Sequence, residues 1–233
     1  MSRERVKLDI NRIVFIGRTF DEYLKMFDLT QEELTGKRVL DCPAGACSFT
    51  AIAGRNGLDV TATDIAYDHS VSELENKGFL DIEHAMEQME KTQSNYVWNE
   101  FRSVAELKQH RSMALTACVK DMRARPERYV PATLPQLPFS VQEFDITLSA
   151  HFLFMYADRL DYAFHVQTIH ELMRVTRSEI RIFPLVDLSG RRYASMDCLL
   201  DIVRSQGWSA EECEVSYEFQ KGARTMLRMQ RLD

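Results

Sequence analysis

The 233 residues predict an α/β domain: a doubly wound, mostly parallel sheet of seven strands, preceded by N-terminal helices and interrupted by a helical cap. Three observations carry this. The run RVLDCPAGACSFTAIAGRNGLDVTATDIAYD reads as a buried strand, a turn of small residues, a helix, and a second strand ending on an acid. Strand and helix signals then alternate through most of the chain. The chain closes on two strand-like runs separated by Gln220, Lys221 and Gly222, which suits an antiparallel hairpin.

The elements follow in order. Residues 2–35 read as helical, because Phe20, Tyr23, Leu24 and Phe27 recur at helical spacing. Asp21 and Glu22 favour a first turn, and Thr30 with Glu33 has capping-box spacing for a second short helix that ends at Gly36. Residues 38–41 are the first strand, 48–56 a helix stopped by Gly57, and 59–63 the second strand. A strand so soon after a helix indicates a βαβ crossover and a parallel sheet. No strand signal appears over residues 70–125, and FLDIEHAMEQMEK and the stretch 97–125 read as helices. A simple crossover needs about 10–15 helical residues, so residues 70–127 are read as an inserted cap. Strand character returns at 128–132, 144–148 and 179–183. Amphipathic helices are expected over LDYAFHVQTIHELMRVT and over 193–205, and EECEVSYEF and ARTMLRMQRL form the terminal pair. The whole of 1–233 reads as a single domain, with 1–36 as its N-terminal helices.

Composition narrows the class. The chain is 45% hydrophobic and 27% charged, as in ordinary globular proteins. A formal charge of −6 argues against a general nucleic-acid binder, which needs a basic surface for phosphates. Five cysteines with no paired spacing and no His/Cys cluster read as reduced thiols, with no metal ligand set. The apolar run 13–16 is too short for a signal peptide, and no stretch could span a bilayer, so the protein is expected in the cytoplasm without a membrane partner.

The loop Asp41-Cys42-Pro43-Ala44-Gly45-Ala46-Cys47 falls at the carboxyl end of the first strand, where open α/β sheets bind ligands. Its side chains are small apart from Asp41, so a ligand can lie against the backbone. The following helix is expected to present free N–H groups suited to a carboxylate or phosphate. Asp64, ending the second strand, can accept both hydroxyls of a ribose. A dinucleotide loop would need G-x-G-x-x-G, and those glycines are mostly missing. An acid at Asp41 suits a cationic group, such as the amino group of methionine, and so favours S-adenosylmethionine over a nicotinamide dinucleotide.

These residues resemble the class I S-adenosylmethionine (SAM)-dependent methyltransferases. VLDCPAGACSF is similar to their first motif, an acid followed by alternating glycines, with Asp41 and Gly45 in register and Pro43 and Cys47 at the outer glycine positions. Pro43 also removes one N–H donor. LPQLPFSVQEFDITLSAHFLFMYAD resembles a segment of the ubiquinone/menaquinone-biosynthesis type. The terminal hairpin is similar to the superfamily's antiparallel last strand. The likeness covers residues 36–70 and 128–233. It implies a Rossmann-like methyltransferase fold, SAM as cofactor with S-adenosylhomocysteine (SAH) as product, and a small-molecule methyl acceptor. It places Asp41, Cys42, Pro43, Ala44, Gly45, Asp64 and Ile65 against the cofactor. Thr133 or the backbone of Leu134 would stand where the family often has an adenine-binding acid. Ser149, Ala150 and His151 would lie near the sulfonium, with His151 the candidate general base or else a hydrogen-bonded histidine at a helix start.

Other residues are weighed alongside. Arg18, before the fold proper, is a candidate partner for the methionine carboxylate, with Tyr23 assisting; otherwise it is a solvated arginine beside a core tyrosine. Phe152, Phe154 and Tyr156 are pocket walls or plain core. Cys47 near a helix start could have a lowered thiol pKa. His165 and His170 are expected on helix surfaces, and the Tyr217/Lys221 spacing is read as chance. The aromatic and basic residues of 96–128 are a helix core with solvated faces, or a lid, or a surface for RNA or protein. A SAM- or SAH-binding protein without catalysis is the alternative outside enzymes.

Overall fold

The computed structural model describes residues 14–232. The helical expectation for residues 2–13 lies outside them. Residues 14–19 are extended, not helical, and α1 (Phe20–Met26) begins only after Thr19. Thr19 and Glu22 form a capping box that fixes this start. The predicted Thr30–Glu33 capping box starts α2 (Gln31–Leu34).

The chain then runs β1 (Arg38–Asp41), α3 (Phe49–Arg55), β2 (Asp59–Asp64), α4 (Val71–Lys91), α5 (Val104–Ala124) and β3 (Tyr129–Pro131). It returns through β4 (Phe144–Ala150), α6 (Tyr162–Val175), β5 (Thr176–Phe183), α7 (Met196–Ser205), β6 (Trp208–Glu214) and β7 (Thr225–Arg231). One seven-stranded sheet has the order β3-β2-β1-β4-β5-β7-β6. The first five strands pair in parallel, and β7 inserts antiparallel between β5 and β6. This is the Rossmann-like methyltransferase fold.

Period-2 alternation divides the core between the two faces of the sheet. Val39, Val60, Ala62, Ile146 and Leu148 pack under α1, α3, α4 and α5. Leu40, Ile180, Ile182 and Leu227 pack under α6 and α7. The terminal strands pair as expected, but the connection between them occupies residues 215–224 and ends, not begins, at the turn of Gly222. That length carries Tyr217 and Phe219 back over the sheet, where both are buried.

The stretch read as a cap is built differently from a separate lid. The second half of α5 buries Cys118, Val119 and Met122 in the core beneath α3, so this helix belongs to the sheet's own helical layer. α4 lies against α5, with Gly78 so close to Leu115 that a Cβ there would stand 2.7 Å from its methyls. Arg181 on β5 donates to the carbonyls of Phe27 and Asp28, tying the end of α1 to the sheet.

Candidate functional site

The strand order reverses direction between β1 and β4, which leaves a crevice at their carboxyl ends. The loop after β1 enters it. Cys42 N–H donates to Leu148 O at 2.9 Å and Ala44 N–H to Thr63 O at 2.9 Å, so both neighbouring strands hold the loop. Gly45 has φ +54°, a left-handed turn that L side chains rarely adopt. Its N–H donates to Asp64 Oδ2 at 2.9 Å, and Ala66 N–H donates to Asp64 Oδ1 at 2.8 Å. Tyr67 closes the turn by donating to Gly45 O at 2.8 Å. Against this loop lies a cavity of about 140 Å³.

The extended segment 14–18 forms another wall. Phe15 N–H donates to Asp81 Oδ2 on α4 at 2.8 Å, and Ser48 N–H donates to Arg18 O at 3.0 Å. Between these pins Gly17 lies on the loop itself: a Cβ there would be 1.8 Å from Ala46 O. The N–H of Ser48, the N-cap residue of α3, is therefore already used. Val14, Ile16 and Arg18 line the cavity.

The charges differ from a simple acidic cradle. Asp41 is fully buried, its Oδ1 accepts from Tyr23 Oη at 3.0 Å, and its Oδ2 has no partner among the described residues. Burial raises its pKa to about 8, against the opposing Tyr23 bond, so the neutral acid is the favoured form at neutral pH. Asp64 is also pushed up by burial, with the Ala66 and Gly45 N–H bonds opposing. On the other side of the cavity, Arg111 of α5 pairs with Glu22 of α1 at 2.7 and 2.9 Å, and Tyr217 Oη donates to Glu22 Oε1 at 2.8 Å. This pair takes Glu22 well below the usual carboxylate range despite burial. Arg18 has no such partner among the described residues, and its buried Nε bonds nothing. Burial, and then the charge of Arg111, lower its pKa.

His151 follows β4 with φ +54°. Its N–H donates to Phe183 O at 2.6 Å, and its ring packs edge-on to Phe183. Nδ1 is buried without a hydrogen-bond partner among the described residues. Burial first, then Arg18 and Arg111, hold its pKa well below the ordinary imidazole value. His151 is therefore neutral at pH 7 and able to accept a proton.

Of the residues singled out from the sequence, Arg18, Pro43, Ala44, Gly45, Asp64, Ala150 and His151 line this cavity. Asp41, Cys42 and Ser149 are buried beneath it. Ile65 is 58% exposed beside Asp64, and Thr133 and Leu134 follow β3 on the far side of β2. Tyr23 does not reach a ligand position, being spent on Asp41. Phe152 and Tyr156 line the cavity, while Phe154 packs in the opposite core against His165 and Tyr193. His165 is not on a surface: it is fully buried and its nitrogens bond Asp161 O and Leu153 O. Cys47 does not have a lowered pKa; burial and Asp41 push it up to about 12. Tyr217 and Lys221 lie in the β6–β7 connection, with Lys221 Nζ donating to Ser94 O, so their spacing is not a helical motif. Several cap bases are matched by acids: Lys108 with Glu83, Arg123 with Glu75 and Arg128 with Asp121. The residues that sequence reading missed are Arg111, Tyr217, Phe219 and Gln220, which lie far along the chain from the loop they face.

No protein-family model matches the chain. Solved structures are similar to the chain at low identity. They include the mitomycin 7-O-methyltransferase MmcR, at 13% identity and TM-score 0.48, covering 91% of this chain and 53% of that one. Another is the PH0226 protein of Pyrococcus horikoshii OT3, at 12% identity and TM-score 0.47, covering 92% and 91%. A third is magnesium protoporphyrin IX methyltransferase (ChlM) of Synechocystis PCC 6803, at 13% identity and TM-score 0.45, covering 86% and 72%. In sequence, the chain is 34% identical over 225 residues to the uncharacterized protein MJ0045 of Methanocaldococcus jannaschii, covering 96% of this chain and 99% of that one. With that identity sustained along nearly the whole of both chains, the protein belongs to the family of MJ0045.

Proposed function

We propose that the protein is a SAM-dependent methyltransferase acting on a small molecule. The observation that carries this is the convergence, in one cavity, of the Pro43–Gly45 loop, Asp64 and the end of β4 at Ala150 and His151. The residues fit the cofactor. A glycine in a left-handed turn admits a ligand against the backbone, and a carboxylate at the end of β2 is placed for ribose hydroxyls. Arg18, half-buried and without a side-chain partner among the described residues, would supply the countercharge for a carboxylate. Ile65, Thr133 and Leu134 would flank the adenine, with Ala150 and Ser149 beneath the sulfur end. Asp41 and Cys42 act from below, shaping the loop: Asp41 through Tyr23, Cys42 through its N–H on Leu148.

When bound, SAM supplies an electrophilic methyl group. The chain's task is to align an acceptor with it and exclude water. Segment 14–18, α4 and the 215–224 connection do the excluding, and together they cover the loop as a lid would. Lys108 and Arg123 of α5 are paired with Glu83 and Glu75 of α4, which favours a small acceptor over RNA. No helix among the described residues is long and apolar enough to cross a membrane.

Calorimetry with SAH tests the reading. Wild-type protein should bind it, and Asp64→Ala should lose about tenfold or more, the scale of a lost charged hydrogen bond. No heat with SAM or SAH, together with heat from a nicotinamide dinucleotide, would refute it.

A further inference from the structure

The cavity beyond the loop has its own chemistry. Its walls there are Tyr96, Phe152, Met155, Tyr156, Leu188 and Phe219, from four separate parts of the chain. Tyr96 stacks on Phe219 with ring centroids 4.8 Å apart, which gives this wall a flat aromatic surface. Among the described residues, Asp64 is the only carboxylate lining the cavity, and it sits at the loop end. Glu22 is spent on Arg111 and Tyr217. A cationic acceptor would find no free acid there, since Asp64 sits at the loop end and Glu22 is already balanced by Arg111. A flat apolar body suits the walls. The polar group left open beside the end of β4 is His151, whose ring packs on Phe183 but whose buried Nδ1 has no hydrogen-bond partner among the described residues.

We infer that the methyl acceptor is an apolar, planar molecule carrying a hydroxyl, a phenol or enol, methylated on oxygen with an imidazole nitrogen of His151 as general base. This rests on the methyl-transfer reading and names its substrate class. In the step, the hydroxyl proton passes to the neutral imidazole as the oxygen forms its bond to the methyl carbon. The carbon–sulfur bond breaks and its electron pair leaves on sulfur, which becomes a neutral thioether. The imidazolium then gives its proton to water. The charged groups around the ring are Arg18 from the N-terminal segment, Arg111 from α5 and Glu22 from α1. Arg111 is balanced by Glu22, so burial is the main influence that keeps the resting imidazole unprotonated.

The test uses naphthol, its methyl ether and naphthylmethylammonium as probes on SAH-saturated protein. Naphthol should bind about tenfold more tightly than the ether, the worth of one hydrogen bond that the ether cannot make. The ammonium should bind worst. In His151→Gly the naphthol preference should vanish; glycine suits the left-handed backbone at that position, so the turn is kept. In the wild-type protein the ring-nitrogen NMR signals of His151 should move with naphthol and stay with the ether. Equal binding of naphthol and ether, unmoved His151 signals, or tightest binding of the cation would each overturn the inference. SAH heat with no naphthol preference sinks the acceptor class alone. Absence of SAH heat sinks the methyl-transfer reading, and O-methylation with it.

Discussion

Arg18→Gln separates the cofactor reading from a merely structural role for the N-terminal segment. Arg18 is held over the loop by its backbone, its N–H on Cys47 Sγ at 3.2 Å and its carbonyl accepting from Ser48 N–H at 3.0 Å, neither of which the substitution touches. Its side chain pairs with nothing among the described residues, so removing the charge strands no acceptor. It also removes repulsion from Arg111. The melting temperature of the ligand-free variant should therefore hold or rise. A charge-assisted bond to the methionine carboxylate in this half-closed site contributes about 1.5–3 kcal/mol. SAH should then bind roughly 10-fold to 150-fold more weakly. Methylthioadenosine, which keeps the nucleoside and sulfur but has no carboxylate, should bind both proteins alike. Titration calorimetry of the two ligands against the two proteins reads this directly. Equal losses for both ligands, or an unchanged SAH affinity, would refute the assigned contact.

Further outcomes follow from the same geometry. Gly17→Ala places a Cβ 1.8 Å from Ala46 O, and overpacking of that kind costs about 1–3 kcal/mol, so a lower melting temperature and weaker SAH binding are expected together. Asp41 has a pKa raised from 3.8 to about 8, so its neutral form is the one the fold favours. The stabilisation from that preference is full at acid pH, declines as pH climbs from 3.8 and is lost through about 8. Asp41→Asn should flatten this decline of about 1.4 kcal/mol per pH unit, seen as a melting temperature that falls less between mildly acid buffer and about pH 8. With its thiol at about 12, Cys47 should resist iodoacetamide while exposed Cys198 is labelled, as peptide mass spectrometry would show; early labelling of Cys47 would contradict its burial.

Much of the fold was legible because its signals are local. Capping residues, β-branched runs and stop glycines act within a few positions, so α2, α3, β1 and β2 could be read from neighbours alone. Gly45 and Asp64 were legible as a site for the same reason, since a tight turn and the next strand end lie close in sequence. The β6–β7 pairing was legible too, but not the length of its connection, because Tyr217 and Phe219 are drawn away from a turn by burial elsewhere.

The amino-acid order by itself determined the alternation of strands and helices, the small-residue turn after β1 and the acid that closes β2. Tertiary structure alone decided the electrostatics. Glu22, Arg111 and Tyr217 meet across separations of 89 and 195 positions, and no spacing rule reaches that far. Asp41 became a neutral acid and His165 a buried hydrogen-bonding residue because folding withdrew water from them. A charge's cost and a base's strength depend on that withdrawal, which is a property of the packed volume around a group and not of its neighbours in the chain.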